Sequence, residues 1–164
     1  EMGLPVHGVM VETPAAVMNA EAILGEVDFV SIGTNDLTQY TMAADRLLGD
    51  LAHLNNPWQP AVLKMIKMTV EGAQRASVTA GKKKYVSVCG EAAADPALAV
   101  VLIGLGVDTL SMNAGAIPAV AAVLKSVTKE KAQQIAAIAL QQISSAEAKE
   151  SARKALPILD ELGL

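Results

Sequence analysis

Four short apolar runs constrain this chain more than any other feature: His7–Val11, Asp28–Ile32, Tyr85–Val88 and Thr109–Met112. The first shows no polar alternation, as expected for a strand buried on both faces of a parallel sheet. Helix punctuation follows each run. Thr13 can cap a helix and Pro14 suits its first turn, so a helix is predicted from about Ala15 to Leu24, with Gly25 as its stop. Leu37–Ala44 reads as a short helix and residues 47–58, with Gly49, Asn55, Asn56 and Pro57, as loop. Gln59-Pro60 opens a long helix to about Ala80 that Gly81 ends; Val62, Leu63, Ile66, Val70 and Ala73 keep helical spacing along it. Asp95-Pro96 caps another, ending near Gly104 or Gly106, and a helix from about Pro118 to Lys125 follows the fourth run.

This order is four βα units, which predicts an α/β fold with a parallel sheet and right-handed crossovers. Beyond Val127 the strands stop. Thr128 starts a helix to about Ile143, and Ser144-x-x-Glu147 is a capping-box signal for a last one, ended or kinked near Pro157. Residues 1–127 are therefore read as the βα units and residues 128–164 as a helical appendage of the same domain. Four units make half of an eight-unit barrel or a small open sheet, and periodicity leaves both open.

The 164 residues suffice for one domain with a real core. An aromatic content of 2 % and a net charge of −4 argue against a nucleic-acid binder, and the one basic run, Lys82-Lys83-Lys84, is read as a solvated loop. The longest apolar run, Ala97–Val107, is about half a membrane span, so no membrane insertion is expected. The single cysteine, Cys89, permits no intrachain disulfide and is compatible with a reducing cytoplasm. A start at Glu1, almost directly before a strand, is read as an excision from something longer.

Chemistry-bearing residues sit at the carboxyl ends of the runs. The first gives Glu12, the second Asn35 and Asp36, the third Cys89 and Glu91. Parallel strands point the same way, so these side chains can meet on one rim. Glu12 and Asp36 are hard oxygen donors suited to Mg²⁺, which favours phosphate-bearing ligands; they are equally the kind of acids that cap helices or pair with lysines. Arg46, ten positions after Asp36, can return as an anion clamp or stay a surface arginine. Cys89 can serve as a proton donor or as a small buried hydrophobe. A Cys–His pair is unattractive, because His7 starts a strand at the opposite rim and His53 lies in a loop. Gly33-Thr34-Asn35-Asp36 offers backbone N–H groups at a helix start, a plausible phosphate cradle.

Three stretches are recognisable together: Gly8-Val9-Met10-Val11-Glu12-Thr13-Pro14-Ala15-Ala16; Asp28 to Thr41 with Ala43-Ala44-Asp45-Arg46; and Cys89-Gly90-Glu91. They resemble the phosphoenolpyruvate (PEP)-binding C-terminal domain of enzyme I of the bacterial sugar phosphotransferase system. The wider PEP-utilising family includes pyruvate phosphate dikinase and PEP synthase; Tyr40 and the Ala-Ala-Asp-Arg stretch are more similar to enzyme I. The resemblance implies a (βα)8 TIM barrel of which this chain corresponds to strands five to eight. It implies that Glu12 and Asp36 hold Mg²⁺, that Asn35 and Arg46 contact the phosphoryl group of PEP, and that Cys89 protonates the enolate of pyruvate. The phosphoryl group would pass to a histidine of a separate N-terminal domain and then to the carrier HPr, in the cytoplasm.

The same resemblance shows what is missing. The phosphohistidine domain and the first half of the barrel, with its further arginines, are absent; only Arg46, Arg75 and Arg153 are present. Smaller departures are Ala92-Ala93-Ala94 after Glu91 and Gln59 before Pro60. The alternatives are another PEP-utilising enzyme such as pyruvate phosphate dikinase, or an inactive half-barrel that self-associates, as a homodimer, to cover its open edges and apolar interior. A metal-dependent lyase or aldolase lacks an obvious Schiff-base lysine at a strand end.

Overall fold

The structure, a computed structural model, describes residues 5–164. The expected excision point at Glu1 lies outside them. Strands β1 (Gly8–Val11), β2 (Phe29–Gly33), β3 (Tyr85–Cys89) and β4 (Thr109–Ser111) form one parallel sheet in the order β1-β2-β3-β4. Neighbours in sequence are neighbours in space. Crossovers of one hand then put every connecting helix on the same face of the sheet. The burial pattern agrees: Val30, Ile32, Val86 and Val88 are buried, while the alternate residues Phe29, Ser31, Ser87 and Cys89 are only partly covered. Four parallel βα units wound this way are compatible with part of a barrel.

The helix-free face is mixed, where a wholly apolar interior was expected. Its middle row, set by the register, is Met10, Ser31, Ser87 and Thr109, and its upper row is Gly33, Cys89 and Ser111. Its lower row is Gly8, Phe29 and Tyr85, so the face is aromatic at one end and small and polar towards the other. β1 is an edge strand and not buried on both faces, for Val9 and Met10 are 41 % and 46 % exposed.

Helices α1 (Pro14–Met18) and α2 (Ala20–Glu26) replace the single helix expected after β1. Asn19 divides them. Its Nδ2 donates to the Ala15 carbonyl at 2.8 Å, competing locally with the helical ladder. Gly25 does not stop α2; it faces open space inside the helix, and the chain returns to extended backbone at Val27. α3 (Thr34–Met42) starts three residues earlier than expected, immediately at the end of β2. α4 (Pro60–Ala80) follows the sequence reading to the residue and ends on Gly81 in the left-handed conformation.

Short α5 (Glu91–Ala94) precedes α6 (Pro96–Leu105). Ala97 to Leu102 are buried on every side of α6, as a helix apolar all round requires. α7 (Ile117–Lys125) packs against one side of it, and α8 (Lys129–Leu140) against another. The α6–α8 approach is so close that a Cβ on Gly104 would run into the Ala132 backbone. α8 ends at Leu140, short of the expected Ile143, and α9 (Ser145–Lys154) and α10 (Ile158–Glu161) complete the chain. Ser144 Oγ caps α9 through the Glu147 N–H, and Glu147 Oε2 accepts from Ile143 N–H.

Asp95 ties these parts together. Its Oδ1 accepts from the N–H groups of Ala97 and Leu98, capping α6. Its Oδ2 accepts from Trp58 Nε1 at 3.0 Å, anchoring a tryptophan that is 2 % exposed. Lys149 of α9 stands 3.9 Å from the same oxygen.

The lysine run is not a uniformly solvated loop. Lys82 pairs with Asp28 and Lys83 with Asp108. Lys84 is only 5 % exposed, because its Nζ reaches under the sheet to donate to the Val27 carbonyl at 2.6 Å. With Lys82 and Lys83 in acidic pairs and Lys84 inside, no free basic patch is formed here. No described helix is long and apolar enough to cross a membrane.

Candidate functional site

Glu12 leaves the end of β1 and lies across the end of β2. A Cβ on Gly33 would strike the Glu12 carboxylate and come within 2.8 Å of its Cγ. Glycine is therefore what lets this carboxylate rest there. Gly33 is paired in register with Cys89, and Cys89 with Ser111, so Glu12 and Cys89 flank one glycine on adjoining strands. The Cys89 Sγ is half-buried and donates to the Ile32 carbonyl at 3.5 Å. Gly90 follows at φ +95°, a conformation that L side chains rarely adopt, and turns the chain from β3 into α5.

The helix start after Gly33 is pinned to the neighbouring strand. Thr34 Oγ1 donates to the Cys89 carbonyl at 3.4 Å, and Thr38 Oγ1 donates to the Thr34 carbonyl at 2.6 Å. Asn35 and Asp36 occupy the first turn of α3, where free N–H groups and the helix dipole favour negative charge.

Arg46 returns to this point. Ala43 adopts the left-handed conformation at φ 50°, the chain reverses, and Gln39 Oε1 accepts from the Arg46 N–H at 3.2 Å. Arg46 Nη1 then stands 3.6 Å from Asp36 Oδ1. Asn35, Thr38 and Arg46 line a cleft of about 420 Å³ with Ala52, Asn55, Pro57 and Glu91.

The structure thus brings Asp36, Asn35 and Arg46 together, and Glu12 with Cys89 across Gly33. The sequence reading named these residues but missed Gln39, Thr38 and Asn55. No spacing signal marked them: Gln39 and Asn55 act through the path of the α3–α4 connection, and Thr38 bonds the Thr34 carbonyl within α3. His7 stays at the opposite rim beside Asp28, and His53 turns to the Asp50 carbonyl within its own loop.

Among the described residues no group of three His, Cys, Asp or Glu side chains forms a metal cage. Two carboxylates at neighbouring strand ends are a donor set that fits Mg²⁺, which is held by one or two protein carboxylates together with waters and substrate phosphate.

Residues 4–129 match the PEP-binding domain of the PEP-utilising enzymes. The chain belongs to the PEP-utilising enzyme family. It is 46 % identical over 149 residues to a phosphoenolpyruvate-protein phosphotransferase of Streptomyces coelicolor, covering 91 % of this chain and 26 % of that protein. The phosphoenolpyruvate-protein phosphotransferase of Haemophilus influenzae is 42 % identical over 140 residues, covering 85 % and 23 %. A multiphosphoryl transfer protein of Xanthomonas campestris is 46 % identical over 138 residues, covering 84 % and 16 %. The chain spans about a quarter of the length of the first two.

Proposed function

We propose that this PEP-utilising domain is the metal- and acid-bearing side of a PEP-protein phosphotransferase site of the enzyme I type. The observation that supports this most is the seating of Glu12 and Cys89 on either side of Gly33, next to the Asp36–Arg46 pair. Glu12 and Asp36 are the residues to hold Mg²⁺, whose charge, when bound, offsets that of the phosphoryl oxygens. Asn35 and the α3 N–H groups orient the phosphoryl group, and Arg46 clamps it. As the ester P–O bond breaks, the phosphoryl group goes to a histidine nitrogen supplied by another domain. The electron pair stays on the enolate oxygen. The Cys89 S–H then gives its proton to the methylene carbon, forming pyruvate. From the histidine the phosphoryl group would pass to HPr.

Only one arginine lines the cleft, so the chain holds part of an anion site. Calorimetric titration of the 164-residue chain with PEP, with and without Mg²⁺, tests the reading. Mg²⁺-dependent binding that is lost in Glu12→Gln and in Asp36→Asn is expected. PEP binding of equal strength without the metal, or in those variants, would overturn it.

A further inference from the structure

The connection between α3 and α4 is held by short-range bonds at nearly every polar side chain. Asp45 Oδ1 accepts from Leu47 N–H at 2.8 Å, and Asn56 Oδ1 accepts from Trp58 N–H at 3.0 Å. Gln59 Nε2 donates to the Leu54 carbonyl at 3.4 Å, and His53 Nδ1 is 3.2 Å from the Asp50 carbonyl. Asn55 differs. Its backbone N–H donates to the Ala52 carbonyl at 3.1 Å, but neither Nδ2 nor Oδ1 of its carboxamide has a partner, and both atoms are buried. Among the described residues, Thr41 Oγ1 is the only other side-chain atom in that condition. A buried carboxamide with nothing to bond costs stability, and such groups are few in native proteins, so each calls for a partner or a role.

Asn55 lines the same cleft as Asn35, Arg46 and Glu91. The charges on that lining cancel, Arg46 against Glu91, so charge alone does not hold an anion there. Neutral donors must decide. Beside Asn35, the Asn55 carboxamide offers a second neutral group with both functions: Nδ2 can donate to an oxyanion, which only accepts, and Oδ1 can accept from a guanidinium, which only donates. We propose that Asn55 is a further ligand-binding residue of this site. Its Nδ2 bonds an oxygen of a phosphate-bearing ligand, and its Oδ1 takes the Arg46 guanidinium as that side chain turns from Asp36 to the same ligand. This rests on the PEP-binding reading and adds to it the residue that completes the anion clamp within this chain.

The test uses the 164-residue chain, with inorganic phosphate and PEP as separate probes, each with and without Mg²⁺. The variants are Asn55→Leu, which keeps the bulk, and Asn55→Ala, which avoids any clash. Affinity is read by calorimetry, stability by the thermal midpoint, and contact by the Asn55 side-chain amide signals in NMR spectra. Binding should weaken about tenfold or more in both variants, the range for a hydrogen bond to a charged group. The Leu variant should keep or raise the thermal midpoint, and the Asn55 amide signals should move on adding phosphate to the native chain. If the native chain binds and both variants bind equally well, this inference fails and the PEP-binding reading stands. If the native chain binds neither probe, both fail. A variant that loses midpoint but keeps affinity would make Asn55 a structural residue.

Discussion

Arg46 Nη1 lies 3.6 Å from Asp36 Oδ1, so the cation assigned to the phosphoryl group rests on a carboxylate assigned to the metal. Both side chains are part-exposed, and such a pair contributes roughly 0–1 kcal/mol. It is weak enough to break when a ligand arrives, yet it must break before Asp36 can face a divalent ion unhindered. Replacing Arg46 by Met therefore has two effects of opposite sign. Mg²⁺ affinity in the absence of PEP rises, by up to about fivefold, the equivalent of ~1 kcal/mol. PEP affinity in the presence of Mg²⁺ falls by about tenfold or more, the loss of a charge-assisted bond to phosphate. Separate calorimetric titrations with metal and with PEP read the two signs. Parallel changes would mean that Arg46 and the metal do not share Asp36.

Gly33→Ala separates the site from the fold. The added methyl would strike the far end of the flexible Glu12 side chain and not backbone, and Gly33 has φ −85°, which alanine accepts. The fold should survive with a thermal midpoint close to that of the native chain. The carboxylate is displaced, so Mg²⁺-dependent PEP binding should weaken about 10–100-fold, as when a metal ligand loses its support. Unchanged binding in the folded variant would remove Glu12 from the metal site.

Cys89 can be tested without any phosphoryl acceptor. If its thiol exchanges a proton with the methyl carbon of pyruvate, the chain with Mg²⁺ should speed the exchange of pyruvate methyl protons into D₂O. Cys89→Ala should lower that rate about 10²–10⁴-fold, the usual contribution of a placed general acid–base group. Pyruvate binding should be little changed, since Sγ is bonded to the Ile32 carbonyl and not to the first turn of α3. A variant that exchanges as fast as the native chain would leave Cys89 a packing residue between β2 and β3.

The strands and most helix ends were legible because local chemistry sets them. Thr13, Asp95, Thr128 and Ser144 cap the helices their side chains can reach, and Gly81 and Gly106 close α4 and α6 in the left-handed conformation. Features that depend on distant partners were not legible. Lys84 looked solvated because its partner, the Val27 carbonyl, is 57 positions away in sequence. The return of Arg46 depends on Ala43 being left-handed, and alanine gives no sign of that where glycine or asparagine would. Asn55 in Asn-Asn-Pro reads as a turn residue whether or not its carboxamide is bonded. The candidate metal and acid residues were readable from strand-end position and family resemblance together. The cleft lined by Asn35 and Arg46 was not, because its far wall is the α3–α4 connection.

At the opposite rim, Asp28 sets how the fold responds to acid. Its Oδ1 accepts from Lys82 Nζ at 2.7 Å, and its Oδ2 accepts from the His7 N–H at 3.2 Å with His7 Nδ1 at 3.4 Å. The Lys82 hydrogen bond, followed by that from the His7 N–H, holds the Asp28 carboxyl below its usual range. A carboxylate depressed in the folded state stabilises fully above its unfolded value, about 3.9, and loses that contribution as pH falls through the lower folded value. Asp28→Asn removes the charge at every pH. The native chain should therefore be the more stable of the two above about pH 5, with the gap closing as pH drops below about 3.9. Because the pair is exposed, added salt should narrow the gap at neutral pH as well. Urea unfolding of both proteins across that range measures it. A gap that stays constant into acid would show that Asp28 acts through its hydrogen-bond geometry and not its charge, whereas PEP binding at the far rim should be the same in both.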